Sequence, residues 1–90
     1  MKKIIVTDGI SENAKQLLEK KYVVDLKKGI SPEELKKIIK NYNAIIIRSA
    51  TKITEDIIEA ADNLEVIGRA GVGVDNVDVK AATKKGIVVV

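Results

Sequence analysis

The chain of 90 residues contains no cysteine, no histidine, no tryptophan and no phenylalanine. Without cysteine it can form neither disulfide bonds nor thiolate metal sites. Without histidine it lacks the side chain that most often acts as a general acid or base near neutral pH. Two tyrosines are its only aromatic residues, so stacking platforms for single-stranded nucleic acid are missing. These absences argue against a disulfide-stabilised protein, a nucleic-acid-binding protein and an enzyme complete in itself.

Long apolar stretches and a strong charge bias are also missing. No stretch approaches the roughly 20 apolar residues of a membrane span, and charged residues follow the first apolar run too soon for a signal peptide. The net charge is +3, and the lysines are spread along the chain, as is typical of solvated helix faces. We therefore expect a cytoplasmic protein with neither membrane nor nucleic acid as a partner.

Short apolar runs alternate with longer amphipathic segments along the whole chain. The runs centre on residues 4–6, 22–24, 44–47, 66–67 and 87–90. Strict alternation of strands and helices indicates a parallel sheet with helical crossovers. Since such crossovers are right-handed, we predict an α/β, flavodoxin-like fold with five parallel strands in the order 2-1-3-4-5 and helices on both faces. The chain ends on the fifth strand, so we expect the closing helix of such a fold to be missing.

Capping signals mark the starts of the predicted helices. Candidate N-caps precede all four amphipathic segments: Ser11, Ser31, Thr54, and Asp75 or Asn76. Pro32 suits the first position of the second helix, and the fourth helix is predicted over residues 77–85 with Gly86 as its stop. The inward face of the first helix is predicted to carry Ile10, Ala14, Leu17 and Leu18.

The helix count predicts self-association. We expect the first helix to cover one face of the sheet and the other three helices to cover the opposite face. Part of the sheet, with Ile45, Ile47 and the last two strands, would then face water. Because an apolar patch of that kind usually marks a contact, we predict a homodimer or higher oligomer formed through the same patch on a second copy.

The candidate binding site lies where strands end, because ligands of open parallel sheets bind beyond the carboxyl ends of the strands. The two arginines of the chain, Arg48 and Arg69, both follow apolar runs at such ends. A guanidinium group fits a carboxylate or phosphate through two hydrogen bonds. Gly71 and Gly73 would let backbone N–H groups approach a ligand. From spacing alone, an anion-binding loop and a simple tight turn both remain open.

Two other interpretations of these strand ends fail on spacing. The dinucleotide fingerprint needs a third glycine where Asn76 stands, and no acidic residue follows about 20 residues later. We therefore expect no NAD site, no metal and no other cofactor in this chain. Asp8 would suit a phospho-receiver domain, but the aspartate which that family needs after the third strand is replaced by Arg48. We interpret Asp8 and Gly9 as a turn.

Two motifs carry a resemblance to a known family: RSATKIT at residues 48–54 and VIGRAGVGVDNVD at residues 66–78. They resemble the D-3-phosphoglycerate dehydrogenases, a group within the D-isomer-specific 2-hydroxyacid dehydrogenases, and the resemblance covers the whole chain. It implies that residues 1–90 are an incomplete substrate-binding domain. The NAD-binding domain of the whole enzyme, which acts in serine biosynthesis, would lie outside this chain.

The resemblance also implies a set of substrate-binding residues: Arg48, Ser49, Arg69, Val72, Gly73 and Asn76. Arg48 would hold the anionic end of the substrate, and the backbone N–H groups of Val72 and Gly73 would receive its carboxylate. Asn76 and Arg69 would support this loop or contact the ligand. The resemblance implies that the histidine, glutamate and arginine that the family uses in catalysis lie beyond residue 90. We therefore expect weak binding of a small anionic 2-hydroxy acid and no catalysis by this chain alone.

Three interpretations remain open. The first is a part of a D-3-phosphoglycerate dehydrogenase. The second is an excised or engineered half-domain with a structural, self-associating role, which a ligand titration would distinguish from the first. The third is a part of another D-2-hydroxyacid dehydrogenase, which a panel of hydroxy acids would distinguish.

Overall fold

Five short parallel strands form the centre of the molecule, which a computed structural model describes over residues 1–70 and 76–90. The strands are β1 (Lys3–Val6), β2 (Val23–Leu26), β3 (Ala44–Ile47), β4 (Val66–Arg69) and β5 (Val88–Val89). Their order in the sheet is β2-β1-β3-β4-β5, and every neighbouring pair is parallel. The predicted flavodoxin-like sheet order is therefore confirmed.

A helix connects each strand to the next. The helices are α1 (Glu12–Glu19), α2 (Pro32–Ile38), α3 (Glu55–Ala60) and α4 (Val79–Lys84), and a 3₁₀ turn (Ile39–Asn41) continues α2. Within the described ranges, none of these helices has the length and apolar content needed to cross a membrane.

Side-chain caps start the first two helices as predicted. The Ser11 hydroxyl accepts a hydrogen bond of 3.1 Å from the Ala14 N–H, and the Ser31 hydroxyl accepts one of 3.2 Å from the Glu34 N–H. Each bond satisfies one of the backbone donors that a helix leaves unpaired in its first turn. Pro32 occupies the first turn of α2, where the missing N–H of proline costs nothing.

The third helix begins at its predicted cap, whereas the fourth begins later than predicted. Thr54 is the N-cap residue of α3, but its hydroxyl donates to the Asp56 carboxylate instead of accepting from the first turn, and this bond lowers the pKa of Asp56. The prediction that α4 begins at residue 77 was wrong. Val77 forms a parallel bridge with Ile53, and α4 begins after Asp78, whose carboxylate accepts from the Ala81 N–H at 3.0 Å. Gly86 ends the helix with a φ of 80°, a conformation that favours glycine.

The main core lies between one face of the sheet and the helices α2, α3 and α4. The strands contribute Ile5, Ile45, Ile47, Ile67 and the adjacent Ile87 to this core. The helices contribute Leu35, Ile57, Ile58, Ala81 and Ala82. The prediction that Ile45 and Ile47 face water was therefore wrong, because both are fully buried. Side chains alternate along a strand, and this alternation directs the odd-numbered residues of β3 toward the three helices.

The opposite face of the sheet is only partly covered. Ile4 and Val6 are buried on the side where α1 contacts β2. Farther along the sheet Ala44, Ile46 and Val66 are half-buried, and they line a groove of about 450 Å³. The predicted uncovered surface therefore exists, but it is formed by the even-numbered residues of β3 and β4.

Helix α1 lies loosely on the sheet. It has no fully buried residue, and Ala14 and Leu18 are half-buried. The predicted inward position of Leu17 was wrong, since 64% of this residue is exposed. Leu17 and Leu18 are neighbours separated by 100° around a helix, and only Leu18 faces the sheet.

Candidate functional site

A cavity of about 530 Å³ opens at the carboxyl ends of β1 and β3. Its wall is formed by three loops that leave β1, β2 and β3 (residues 8–9, 28–30 and 48–52) and by Pro32 and Leu35 of α2. Three cationic side chains, Lys28, Arg48 and Lys52, and one carboxylate, Asp8, line it. Three positive charges against one negative charge give this wall a formal charge of +2, which suits an anionic ligand.

Asp8 organises the loop that follows β3. One oxygen of its carboxylate accepts hydrogen bonds from the Arg48 N–H at 2.5 Å and the Thr51 N–H at 3.3 Å. The other oxygen accepts from the Thr51 hydroxyl at 2.8 Å. The same hydroxyl lies 2.7 Å from that of Thr7, which is buried. The residues that end β1 are thus bonded to both ends of the loop 48–51.

The Arg48 guanidinium lies beside this network. Its Nη1 donates to the Gly9 carbonyl oxygen at 3.3 Å, and the residue is exposed at the cavity wall. A guanidinium has five N–H donors. One bond to Gly9 therefore leaves several donors for a ligand in the cavity.

Asn76 joins the loop 48–51 to the chain that leads into α4. Its side-chain Nδ2 donates to the Arg48 carbonyl at 2.6 Å and to the Thr51 carbonyl at 2.9 Å. Its own carbonyl accepts from the Ile53 N–H at 2.7 Å, next to the bridge between Ile53 and Val77. In the described structure both amide protons of this side chain support the loop.

The predicted site residues fall into three groups. Arg48 and Ser49 line the cavity, and Asn76 is bonded to the loop that carries them. Arg69 ends the next strand, β4, where it pairs in register with Ile47 and is half-buried. Val72 and Gly73 lie outside the described residues, so their predicted role stays a prediction.

Sequence reasoning missed four residues of this site: Asp8, Lys28, Thr51 and Lys52. Asp8 was interpreted as part of a turn. A charged residue two positions after a buried strand, at the carboxyl edge of a parallel sheet, was the available signal. Lys28 lies on the loop after β2, and in the sequence it looks like any other member of a lysine pair.

The arrangement is suited to binding an anion. Its polar groups are cationic side chains and hydroxyl groups, and its single carboxylate already accepts three hydrogen bonds. In the part of the chain that the structure describes, no group of three or more acidic side chains is placed to hold a metal ion.

Comparison of the sequence with protein families gives one match that spans nearly the whole chain. Residues 4–90 match the family model of the D-isomer specific 2-hydroxyacid dehydrogenase catalytic domain. A D-3-phosphoglycerate dehydrogenase from Methanocaldococcus jannaschii is 53% identical over 90 residues. That alignment covers 100% of this chain but only 17% of the relative.

Solved structures share the fold over the same length. A protein from Pyrococcus horikoshii superimposes with a TM-score of 0.94 at 37% identity, covering 100% of this chain and 28% of that one. A 3-phosphoglycerate dehydrogenase from Entamoeba histolytica, solved with bound NAD⁺, gives a TM-score of 0.81 at 36% identity. This superposition covers 98% of this chain and 32% of the Entamoeba histolytica chain.

Proposed function

The chain belongs to the D-isomer specific 2-hydroxyacid dehydrogenase family, and we propose that it forms part of the substrate-binding domain of an NAD-dependent D-3-phosphoglycerate dehydrogenase. The chain spans 17% of the length of the M. jannaschii relative, so the activity belongs to a larger protein. In this proposal residues 1–90 bind substrate, and other parts of the enzyme bind NAD and carry out hydride transfer.

The observation that carries this proposal is the cationic cavity at the carboxyl ends of β1 and β3. A phosphoglycerate has a phosphate at one end and a carboxylate at the other. Lys28, Arg48 and Lys52 contribute positive charge to the wall of the cavity, and the Arg48 fork offers paired donors to a phosphate. Ser49, also in the wall, adds a hydroxyl donor. Asn76 and Arg69 are proposed to support the neighbouring loop, where Val72 and Gly73 would receive the carboxylate.

The chain is proposed to be inert by itself. Oxidation of a 2-hydroxy acid needs a hydride acceptor and a base near the substrate hydroxyl, and the reverse reduction needs a hydride donor and a proton donor there. The chain has no histidine, and its cavity carboxylate is occupied by hydrogen bonds. We expect neither NADH binding by calorimetry nor turnover of 3-phosphoglycerate. Micromolar affinity for NADH would contradict this part of the proposal.

An NMR titration of the 90-residue chain with 3-phosphoglycerate tests the binding site. The backbone amides of Ser49 and Lys52 should shift, with an affinity no better than roughly millimolar, because half a cleft supplies few contacts. Arg48→Met should weaken binding, whereas Lys20→Met, which removes an exposed cation on the far end of α1, should not. Shifts confined to residues remote from the cavity would show that the site is assigned wrongly.

A second ligand distinguishes this proposal from a relative with another substrate. D-lactate carries the 2-hydroxy acid group without a phosphate. If the cavity is built for phosphoglycerate, D-lactate should bind much more weakly and inorganic phosphate should compete with 3-phosphoglycerate. Equal binding of both acids would favour a different D-2-hydroxyacid dehydrogenase.

A second candidate role is self-association, favoured by the half-covered face of the sheet. Ala44, Ile46 and Val66 line the groove there, and Val88 and Val90 beside it are exposed. A two-fold contact between two such faces would remove apolar surface from both copies. We propose a homodimer formed in this way, which sedimentation equilibrium at micromolar concentration tests directly.

A further inference from the structure

We propose that Asp8 is a positioning residue for the anion-binding loop 48–51, and that it acts through Arg48 without touching the ligand. The proposal rests on the proposed function, since it requires the cavity beside this loop to be the anion site. It assigns a role to the one carboxylate in a wall that carries three cationic side chains.

The first argument is the geometry of the carboxylate. Asp8 accepts from the N–H of Arg48 at 2.5 Å, the N–H of Thr51 at 3.3 Å and the hydroxyl of Thr51 at 2.8 Å. Arg48 and Thr51 are the first and last residues of the loop. Because one carboxylate bonds both ends of the loop, it restricts the distance between Arg48 and Thr51. It thereby also restricts how residues 48–50 face the cavity.

The second argument is burial. Asp8 is only 8% exposed, and a carboxylate removed from water is tolerated when hydrogen-bond donors replace the water. The donors here are two backbone N–H groups and a hydroxyl, all of them from the loop. If loop closure alone were needed, an uncharged side chain would suffice. A carboxylate makes stronger, charge-assisted bonds to the same donors.

The third argument is the position of the Arg48 guanidinium. Its Nη1 bonds to the carbonyl of Gly9, the residue after Asp8. Among the ion pairs of the described residues, none joins Arg48 to Asp8. The Asp8–Gly9 turn therefore holds both the backbone and the side chain of Arg48, and it leaves the positive charge of the guanidinium available to an anion.

The test compares Asp8→Asn with Asp25→Asn in the 90-residue chain. Asp25, on β2, is a matched control. Its half-buried carboxylate also accepts a short hydrogen bond, 2.6 Å long, from the Tyr42 hydroxyl. The dissociation constant for 3-phosphoglycerate is measured by NMR well below each variant's thermal midpoint. We expect Asp8→Asn to raise it about tenfold, the cost of weakening a charge-assisted hydrogen bond. Asp25→Asn should leave it unchanged.

Three further measurements separate a positioning role from a purely structural one. Thr51→Ser keeps the hydroxyl that Asp8 accepts from and should bind as well as the wild type, whereas Thr51→Val should behave like Asp8→Asn. When Arg48 has already been replaced by Met, Asp8→Asn should raise the dissociation constant for 3-phosphoglycerate only slightly further. The reason is that Asp8 is proposed to act through Arg48. Hydrogen exchange at the Arg48 amide should accelerate in Asp8→Asn and remain unchanged in Asp25→Asn.

The outcomes distinguish this proposal from the one it rests on. If the wild-type chain binds no 3-phosphoglycerate at the cavity, the proposed function fails and the positioning role fails with it. If the wild type binds and Asp8→Asn binds equally well, only the positioning role is overturned. A full tenfold loss that persists in the Arg48→Met background would also overturn it, since Asp8 would then act independently of Arg48.

Discussion

The hydroxyl of Tyr42 donates a hydrogen bond of 2.6 Å to the carboxylate of Asp25, which joins the segment before β3 to the edge strand β2. Tyr42 is buried, and the Lys3 ammonium lies 5.2 Å from the centre of its ring. Burial, which has the largest effect, the hydrogen bond to Asp25 and the negative charge of Asp25 together raise the pKa of Tyr42 to about 12. The neutral phenol is therefore the form that the folded chain stabilises.

Tyr42→Phe should lower the free energy of unfolding at pH 7 by about 1 kcal/mol, because it leaves the Asp25 carboxylate without this donor. It should also change the dependence on pH. The unfolded chain releases the phenolic proton near pH 10.0 and the folded chain near pH 12. The contribution of Tyr42 to stability is thus complete below pH 10 and is lost as the pH rises from 10 to 12.

Urea denaturation at several values between pH 8 and 12 checks this prediction. The difference in unfolding free energy between the wild type and Tyr42→Phe should shrink as the pH rises through this window. Tyr22→Phe is the control, since it makes the same substitution at a more exposed tyrosine. A constant difference for Tyr42→Phe would contradict the raised pKa.

Lys85→Met should destabilise the fold by about 1 kcal/mol. The Lys85 ammonium donates to the carbonyls of Ile58 at 2.9 Å and Glu59 at 2.6 Å, in the last turn of α3. A cation at that position satisfies carbonyl groups that a helix end leaves unpaired. Its 3.6 Å ion pair with the exposed Asp62 should add little. Thermal melting should show a larger fall in the melting temperature for Lys85→Met than for Lys84→Met, which removes the exposed neighbouring lysine.

Asn76→Asp should destabilise the chain by about 2 kcal/mol, since it removes two donors and turns a carboxylate toward the carbonyl oxygens of Arg48 and Thr51. The amides of residues 48–51 should shift in the NMR spectrum even where the fold is intact. Asn13→Asp, on the exposed side of α1, makes the same chemical change without such neighbours and should be nearly neutral. Equal stability of the two variants would show that the Asn76 bonds contribute nothing.

Val88→Lys should weaken self-association, while Val79→Lys should not. Val88 is 55% exposed beside the half-covered face of the sheet, and Val79 is 44% exposed on α4. Both variants add the same charge, so general repulsion between copies is matched. A lysine at Val88 would have to be desolvated in the proposed contact, and we expect at least a tenfold weaker dimer by sedimentation equilibrium. A monomeric wild-type chain would contradict the proposed dimer outright.

Several features of this protein follow from the sequence by local physics. Alternating apolar runs and amphipathic segments predict the parallel sheet, and the handedness of crossovers leaves few strand orders, of which the predicted flavodoxin-like one is observed. The Ser11 and Ser31 caps act over three residues, so they can be recognised without knowing the fold. The stop at Gly86 depends on its own backbone conformation. The positions of Arg48 and Ser49 after the third strand follow from strand order alone.

Tertiary structure decided what depends on residues far apart in the chain. Four apolar residues in a row, as in β3, do not reveal which face of the sheet each one joins, so Ile45 and Ile47 were assigned to the wrong face. The start of α4 moved because Val77 pairs with Ile53, 24 positions earlier. Asp8 bonds to Arg48 and Thr51 across at least 40 positions. Such contacts depend on how neighbouring strands align, and that alignment is set by packing of the whole sheet against its helices.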